Sequence, residues 1–251
     1  MDIALSGKVA IITGSARGLG RVIAQTLAES GADVVIADVQ EDAGKLAASE
    51  IAELGVRSIF VKSDVGKAAD CRELVAASIS QLGRLDILVN NAGICPITTM
   101  PEIDEELWNH VMDVNLNGTF FCSQAAAEQI KDRPGGRIIN ITSVAAHSGG
   151  GLVPVAHYAS SKGGIISMTR SFATYLAPHG CTANAIAPAP FLSDLTEHFS
   201  DEVMAGYKEV IPLGRLGTTQ DMANAVLFLA SDLASFITGT VLDVNGGWIM
   251  R

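Results

Sequence analysis

Aromatic residues are scarce in this chain: Phe, Trp and Tyr make up 5% of its 251 residues. Core volume must therefore come from Ala, Val, Ile and Leu, which suits strands buried on both faces beneath Ala-rich helices. There is no basic run, and the formal net charge is −10. Nucleic acid and anionic membrane surfaces are poor partners for such a chain. No stretch approaches ~18 continuous apolar residues, so no membrane span is expected. The first residues lack the form of a signal peptide and lead directly into a strand pattern, which makes the cytoplasm the expected compartment. The four cysteines, Cys71, Cys95, Cys122 and Cys181, show no C-x-x-C spacing. They are expected as reduced thiols, mostly in the core. Cys95 stands apart because it follows a predicted strand end, where sites form. The five histidines are scattered without ligand spacing, and no metal is expected.

What is present is an alternation. Seven short apolar runs read as buried parallel strands: Val9–Ile12, Val34–Ala37, Ser58–Val61, Ile87–Val89, Ile138–Ile141, Thr182–Ile186 and Val241–Val244. Helical patterns fall between them at roughly 18–30, 42–54, 67–82, 104–131, 157–177 and 219–230. This order predicts an α/β, doubly wound sheet with right-handed crossovers. No linker or repeat divides the chain, so residues 1–251 read as one domain. The stretch 188–212 interrupts the alternation, with Pro188, Pro190 and Pro212 around a short helical piece. An excursion of that length reads as a substrate lid.

The first strand runs into Thr13-Gly14-Ser15-Ala16-Arg17-Gly18-Leu19-Gly20. Gly14 permits a tight turn, while Gly18 and Gly20 let a pyrophosphate approach the backbone and the helix approach the sheet. The helix start adds free N–H donors and a positive dipole end. Asp38 ends the second strand, where a carboxylate accepts hydrogen bonds from an adenosine ribose and repels a 2′-phosphate. A unit-charge pair at about 4 Å costs roughly 4 kcal/mol at an effective dielectric of about 20. That favours NAD over NADP, and Arg17 pulls the other way. Asp64 and Val65 follow the third strand and could meet the adenine, with capping of the next helix as the competing role. Asn91, Ala92 and Gly93 end the fourth strand, where small and amide residues suit a passing nucleotide. Leu19 and Val39 complete the dinucleotide-binding set at this end.

Tyr158 and Lys162 are four residues apart, which on a helix places them on one face. Hydride transfer at a carbonyl carbon needs a proton moved at the oxygen, and Tyr158 is the candidate acid/base. One ammonium at ~4 Å would lower a phenol by about two units at an effective dielectric of ~20, with desolvation opposing it. Ser143, at the end of the fifth strand, is placed to hydrogen-bond a substrate oxygen. Asn115 falls inside a predicted helix, where Asn is disfavoured.

Taken together, Thr13-Gly14-x-x-x-Gly18-x-Gly20, Asn90-Asn91-Ala92-Gly93, Asn115, Ser143 and Tyr158-x-x-x-Lys162 resemble the short-chain dehydrogenase/reductase family along nearly the whole chain. The resemblance implies a Rossmann-type fold with a seven-stranded parallel sheet, catalysis by Asn115, Ser143, Tyr158 and Lys162, and a homotetramer. It gives Asn115 a water that relays protons to Lys162; a helix kink or core hydrogen bond is the other reading. It sets Pro188, Phe191 and Ser193, with Tyr158 and Lys162, among the cofactor contacts. Pro188-Ala189 departs from the family's Pro-Gly, and Ala189 can hold that backbone only with a negative φ. The expected substrate contacts are Ser143, Tyr158, Cys95, Leu152 and Val153. The main expectation is an NAD-dependent oxidoreductase acting on a small alcohol or carbonyl compound. The alternatives are an NADP-linked 3-oxoacyl-thioester reductase and a non-catalytic dinucleotide-binding protein.

Overall fold

The structure is a computed structural model that describes residues 3–150, 155–191 and 200–251; Leu152, Val153 and Ser193 lie outside them. The described strands are β1 (Val9–Thr13), β2 (Asp33–Asp38), β3 (Ser58–Lys62), β4 (Ile87–Asn90), β5 (Arg137–Ile141), β6 (Thr182–Pro188) and β7 (Val241–Val244). They form one parallel sheet in the order β3-β2-β1-β4-β5-β6-β7. The five inner strands are buried almost throughout, and the two edge strands are half-exposed. Continuous Val/Ile/Ala runs are what a strand covered on both faces requires.

The helices are α1 (Gly18–Glu29), α2 (Glu41–Ala52), α3 (Ala68–Leu82), α4 (Glu105–Met112), α5 (Gly118–Ile130), α6 (Ala145–Ser148), α7 (Ala156–Leu176), α8 (Asp201–Val210) and α9 (Thr219–Ala230). One face of the sheet is covered by α1, α2 and α9, through Ile23, Leu27, Ile51, Val226 and Leu229. The other is covered by α3, α5 and α7, through Leu74, Cys122, Ile130 and Leu176. Short polar side chains fix several helix starts: Asp104, Ser200 and Thr218 each accept a first-turn backbone N–H.

The chain runs outward from β1 to β3, then returns to place β4 on the other side of β1. Connections therefore diverge above the carboxyl ends of β1 and β4, which opens a crevice there.

The helical segment expected at 104–131 is unbroken from Glu105 to Ile130, with a π-helical turn over Asp113–Asn117 between α4 and α5. The extra residue per turn turns Asn115 into the interior, where it is fully buried. Its amide satisfies the main chain of the loop after β4, through the Ile94 N–H and carbonyl.

Candidate active site

The glycine turn after β1 is shaped by what its backbone must avoid. Gly14 and Gly18 have φ of 63° and 56°, the left-handed region that favours glycine. A Cβ on Gly14 would lie 2.8 Å from the Ala92 Cα. Two hydroxyls brace the turn. The Ser15 Oγ donates to the Ile12 carbonyl at 2.6 Å and accepts from the Ala37 N–H at 3.1 Å. The Thr13 Oγ1 accepts from the N–H groups of Asn91 and Ala92 at 3.0 and 3.1 Å. The Asn91 amide donates to the carbonyls of Thr13 and Gly14 at 2.9 and 3.0 Å, stitching β1 to β4.

At the start of α1, the exposed Arg17 makes no side-chain capping bond. The first helical backbone bond runs from Arg21 to Arg17, so the N–H groups of Gly18, Leu19 and Gly20 precede the ladder. The Leu19 side chain packs in the core, and its contribution here is its backbone. Open donors at a positive helix end, beside backbone free of side chains, fit a dinucleotide pyrophosphate.

Asp38 is buried at the end of β2 with its carboxylate against the glycine turn. One oxygen accepts from the Ala16 N–H and the other from the Gln40 N–H, each at 3.0 Å. Val39 beside it is 55% exposed, an apolar surface next to a fixed carboxylate. Asp64 accepts from the Gly66 N–H at 3.1 Å and pairs with Lys67 at 3.1 Å. Val65 is buried, with its backbone packed closely against Gly118.

The second group of residues gathers at the carboxyl ends of β4 and β5. Helix α7 holds Tyr158 and Lys162 one turn apart. The Lys162 Nζ donates to the Ile141 carbonyl at 2.9 Å and lies 5.6 Å from the Tyr158 ring centroid. The Thr142 Oγ1 donates to the Lys162 carbonyl at 2.7 Å, clamping the strand end to the helix. The Ser143 Oγ accepts the Ala145 N–H at 3.1 Å and lies near enough to the Tyr158 phenol to favour its ionised form.

Burial dominates the electrostatics. It holds Lys162 down at about 8. It pushes the Tyr158 phenol well above its ordinary value; Cys95 pushes the same way, and Ser143 opposes. The expected lowering of Tyr158 by Lys162 is therefore corrected. Desolvation disfavours the phenolate, and the Lys162 ammonium is not among the groups that offset it: its hydrogen bond goes to the Ile141 carbonyl, and it lies over the ring.

Asn115 meets this group from below. Its Oδ1 accepts the Ile94 N–H at 2.9 Å, and its Nδ2 donates to the Ile94 carbonyl at 2.9 Å and the Ser161 Oγ at 3.1 Å. A Cβ on Gly93 would stand 3.3 Å from both the Asn115 Oδ1 and the Lys162 Nζ. Cys95, next after Ile94, is half-buried and interacts electrostatically with both Tyr158 and Lys162. Burial raises its thiol to about 11, with Lys162 opposing.

After β6, the Pro188 carbonyl accepts the Val144 N–H at 3.1 Å, tying this segment to Ser143's neighbour. Ala189 donates its N–H to the Val244 carbonyl at 3.2 Å, and no non-glycine among the described residues has positive φ. Ala189 thus meets the conformational condition set for it. Phe191 is buried and bridges to Gly217.

Sequence reasoning missed the polar chain beneath the site. The Asn90 Nδ2 donates to the Ser123 Oγ and the Asn140 Oδ1, each at 2.8 Å, and the Asn140 Nδ2 donates to the Thr169 Oγ1 at 2.9 Å. The available signal was a polar residue inside an apolar run, Ile138-Ile139-Asn140-Ile141. Among the described residues, no group of three or more His, Cys, Asp or Glu could hold a metal ion. No described helix is long and apolar enough to cross a membrane.

Residues 14–249 match the family model described as enoyl-(acyl carrier protein) reductase. A 3-oxoacyl-[acyl-carrier-protein] reductase of Aquifex aeolicus is 40% identical over 248 residues, covering 98% of this chain and 99% of that protein. L-rhamnose 1-dehydrogenase (NAD(P)(+)) of Azotobacter vinelandii is 40% identical over 250 residues, covering 97% of each. The crystal structure of a short-chain type dehydrogenase/reductase from Mycobacterium marinum superposes with a TM-score of 0.93 at 34% identity, covering 99% of this chain and 98% of that one.

Proposed function

The chain belongs to the short-chain dehydrogenase/reductase family, and we propose that it interconverts a ketone and a secondary alcohol with Tyr158 as the acid/base. The observation that carries this reading is the half-buried Tyr158 beside the buried Lys162 and Ser143, one crevice away from a glycine turn suited to a dinucleotide. A bound nicotinamide dinucleotide supplies the hydride donor or acceptor. The protein's own part is proton handling. Tyr158 keeps its proton at neutral pH, so its hydroxyl is ready to donate to a carbonyl oxygen, which favours reduction. Ser143 orients that oxygen with a hydrogen bond that strengthens as charge develops. Lys162, held near 8, can release or take a proton at working pH. Asn115 fixes the loop carrying Gly93 and Cys95 against Lys162.

For the cofactor we propose NAD(H), supported by the Asp38 carboxylate that two backbone N–H groups hold at the turn. For the substrate we propose a 3-oxoacyl thioester, supported by the likeness to the Aquifex reductase. A small alcohol or sugar is the second reading, supported by the Azotobacter dehydrogenase and by Asp38. The segment 188–212 is proposed as a lid over the substrate. Helix α8 in it anchors through Tyr207, whose ring packs edge-on against Trp248 at 5.4 Å. A homotetramer is proposed as well, with the groove of about 610 Å³ between α5 and α7 as one contact. That groove carries Phe120 and Tyr175, which are 37% and 45% exposed.

The deciding experiment follows nicotinamide absorbance with NADH and NADPH against 3-oxoacyl thioesters (coenzyme A and carrier-protein forms), and with NAD⁺ and NADP⁺ against secondary alcohols and sugars. NADH-linked thioester reduction supports the proposal. Oxidation of alcohols or sugars alone moves the reading to the second. NADPH-linked activity removes Asp38 from its assigned role.

A further inference from the structure

We propose that Arg251 is a positioning residue: through His147 it holds α6, and through α6 the hydroxyl of Ser143. The proposal rests on the reading of Ser143 given above. Helix α6 is a single turn ending at Gly149, whose φ is 75°. Its Ala145 is buried and the turn packs against α7, and its first N–H, from Ala145, donates to the Ser143 Oγ. Among the described residues, one side-chain hydrogen bond reaches α6 from another element. It comes from Arg251, whose Nη1 lies 3.4 Å from the His147 Nδ1.

The guanidinium is itself oriented. Its Nε and Nη2 grip the Asp243 carboxylate at the end of β7, at 2.9 to 3.1 Å. A guanidinium only donates, so in this contact the His147 Nδ1 accepts and the ring proton sits on Nε2, a buried atom with no hydrogen-bond partner among the described residues. The edge strand, Arg251 and the loop between Ser143 and Tyr158 are thus joined through one imidazole.

This joint works only with a neutral ring. A protonated His147 has no acceptor to offer and carries its charge beside Arg251. The charged groups facing it are Arg251, Arg170 from α7 and Asp243 from β7. Burial, then the two arginines, hold its pKa below the ordinary value, and Asp243 opposes. The strut therefore holds at neutral pH and breaks as pH falls through that lowered value.

The test uses the chain ended at Met250, together with His147→Gln and Arg251→Lys, all checked for unchanged melting. Hydrogen exchange at the Ala145–Ser148 amides is measured in the protein without cofactor, alongside kcat from pH 5 to 9. The shortened chain is expected to exchange faster at these amides and to lose about tenfold in kcat at pH 8, with cofactor KM unchanged. Arg251→Lys, which can still donate, recovers part of both. His147→Gln keeps an acceptor and loses the acid fall in kcat. Wild-type exchange in the shortened chain, or an acid limb that survives His147→Gln, overturns the proposal. A Tyr158→Phe protein with full activity would instead overturn the chemistry, while exchange would still decide the strut.

Discussion

The two halves of the crevice are built from different materials. Around β1 and β2 the contacts are made by backbone and small side chains: Gly14 and Gly18 in left-handed conformation, Ser15 and Thr13 as braces, and a carboxylate fixed by two N–H groups. Around β5 and α7 the candidate groups are long and ionisable, Lys162 buried and Tyr158 half-buried, and desolvation moves their proton affinities away from the ordinary values. The first half works through shape and open donors, so its tolerance is steric. The second works through desolvated charge, so its tolerance is electrostatic. A substitution should therefore affect binding in one half and proton transfer in the other.

The sharpest way to break that division is Tyr158→Phe. It should reduce kcat by about 10³-fold, within the range for loss of a general acid, and leave dinucleotide affinity nearly unchanged by fluorescence titration. A comparable loss of affinity would show that the halves are not separate. Next in size is Asp38→Ala. Removing a fixed charge near the ribose should shift the NAD-to-NADP ratio of kcat/KM by about a hundredfold towards NADP; an unmoved ratio would assign cofactor choice elsewhere.

Smaller effects sharpen the steric side. Gly14→Ala forces a Cβ to within 2.8 Å of the Ala92 Cα at a φ of 63°. It should destabilise the fold by about 1–3 kcal/mol and weaken dinucleotide binding, both readable from urea titrations with and without cofactor. A neutral result would mean the turn relaxes freely.

The smallest effect concerns the electrostatic side. Lys162 sits at about 8 when folded, against an ordinary 10.5. Between those values the unfolded chain holds the proton and the folded chain does not, so stability rises with pH from about 8 towards 10.5. Below about 8 both states are protonated, and the whole cost of burying the charge remains. The difference in Tm between the wild type and Lys162→Met should grow as pH falls from 10 to 8 and then level off. A difference independent of pH would mean that Lys162 keeps its ordinary affinity.

Much of this plan was legible in the residues. The alternation of short apolar runs with helical patterns locates all seven strands, because a strand covered on both faces must be continuously apolar. The glycine turn, Asp38 and the Tyr158–Lys162 pair were readable because local geometry alone constrains them: a left-handed φ needs glycine, and four residues make one helical turn. The π-helical turn between α4 and α5 was not readable. Nothing local marks a π turn; it exists because the Asn115 amide finds the Ile94 backbone, twenty-one positions away. The Asn90–Asn140–Thr169 chain escaped for the same reason, since its partners come from β4, β5 and α7.

Sequence by itself determined the fold class, the sheet's strand content and where the proposed site residues fall along the chain, because periodicity and glycine placement act over a few residues. Only the tertiary structure decided the direction in which burial moves Tyr158 and Lys162. Whether Lys162 lowers Tyr158, or burial raises it, depends on how much water the packed helices exclude and on which carbonyl the ammonium meets. Desolvation is a property of the assembled interior, and no stretch of residues carries it alone.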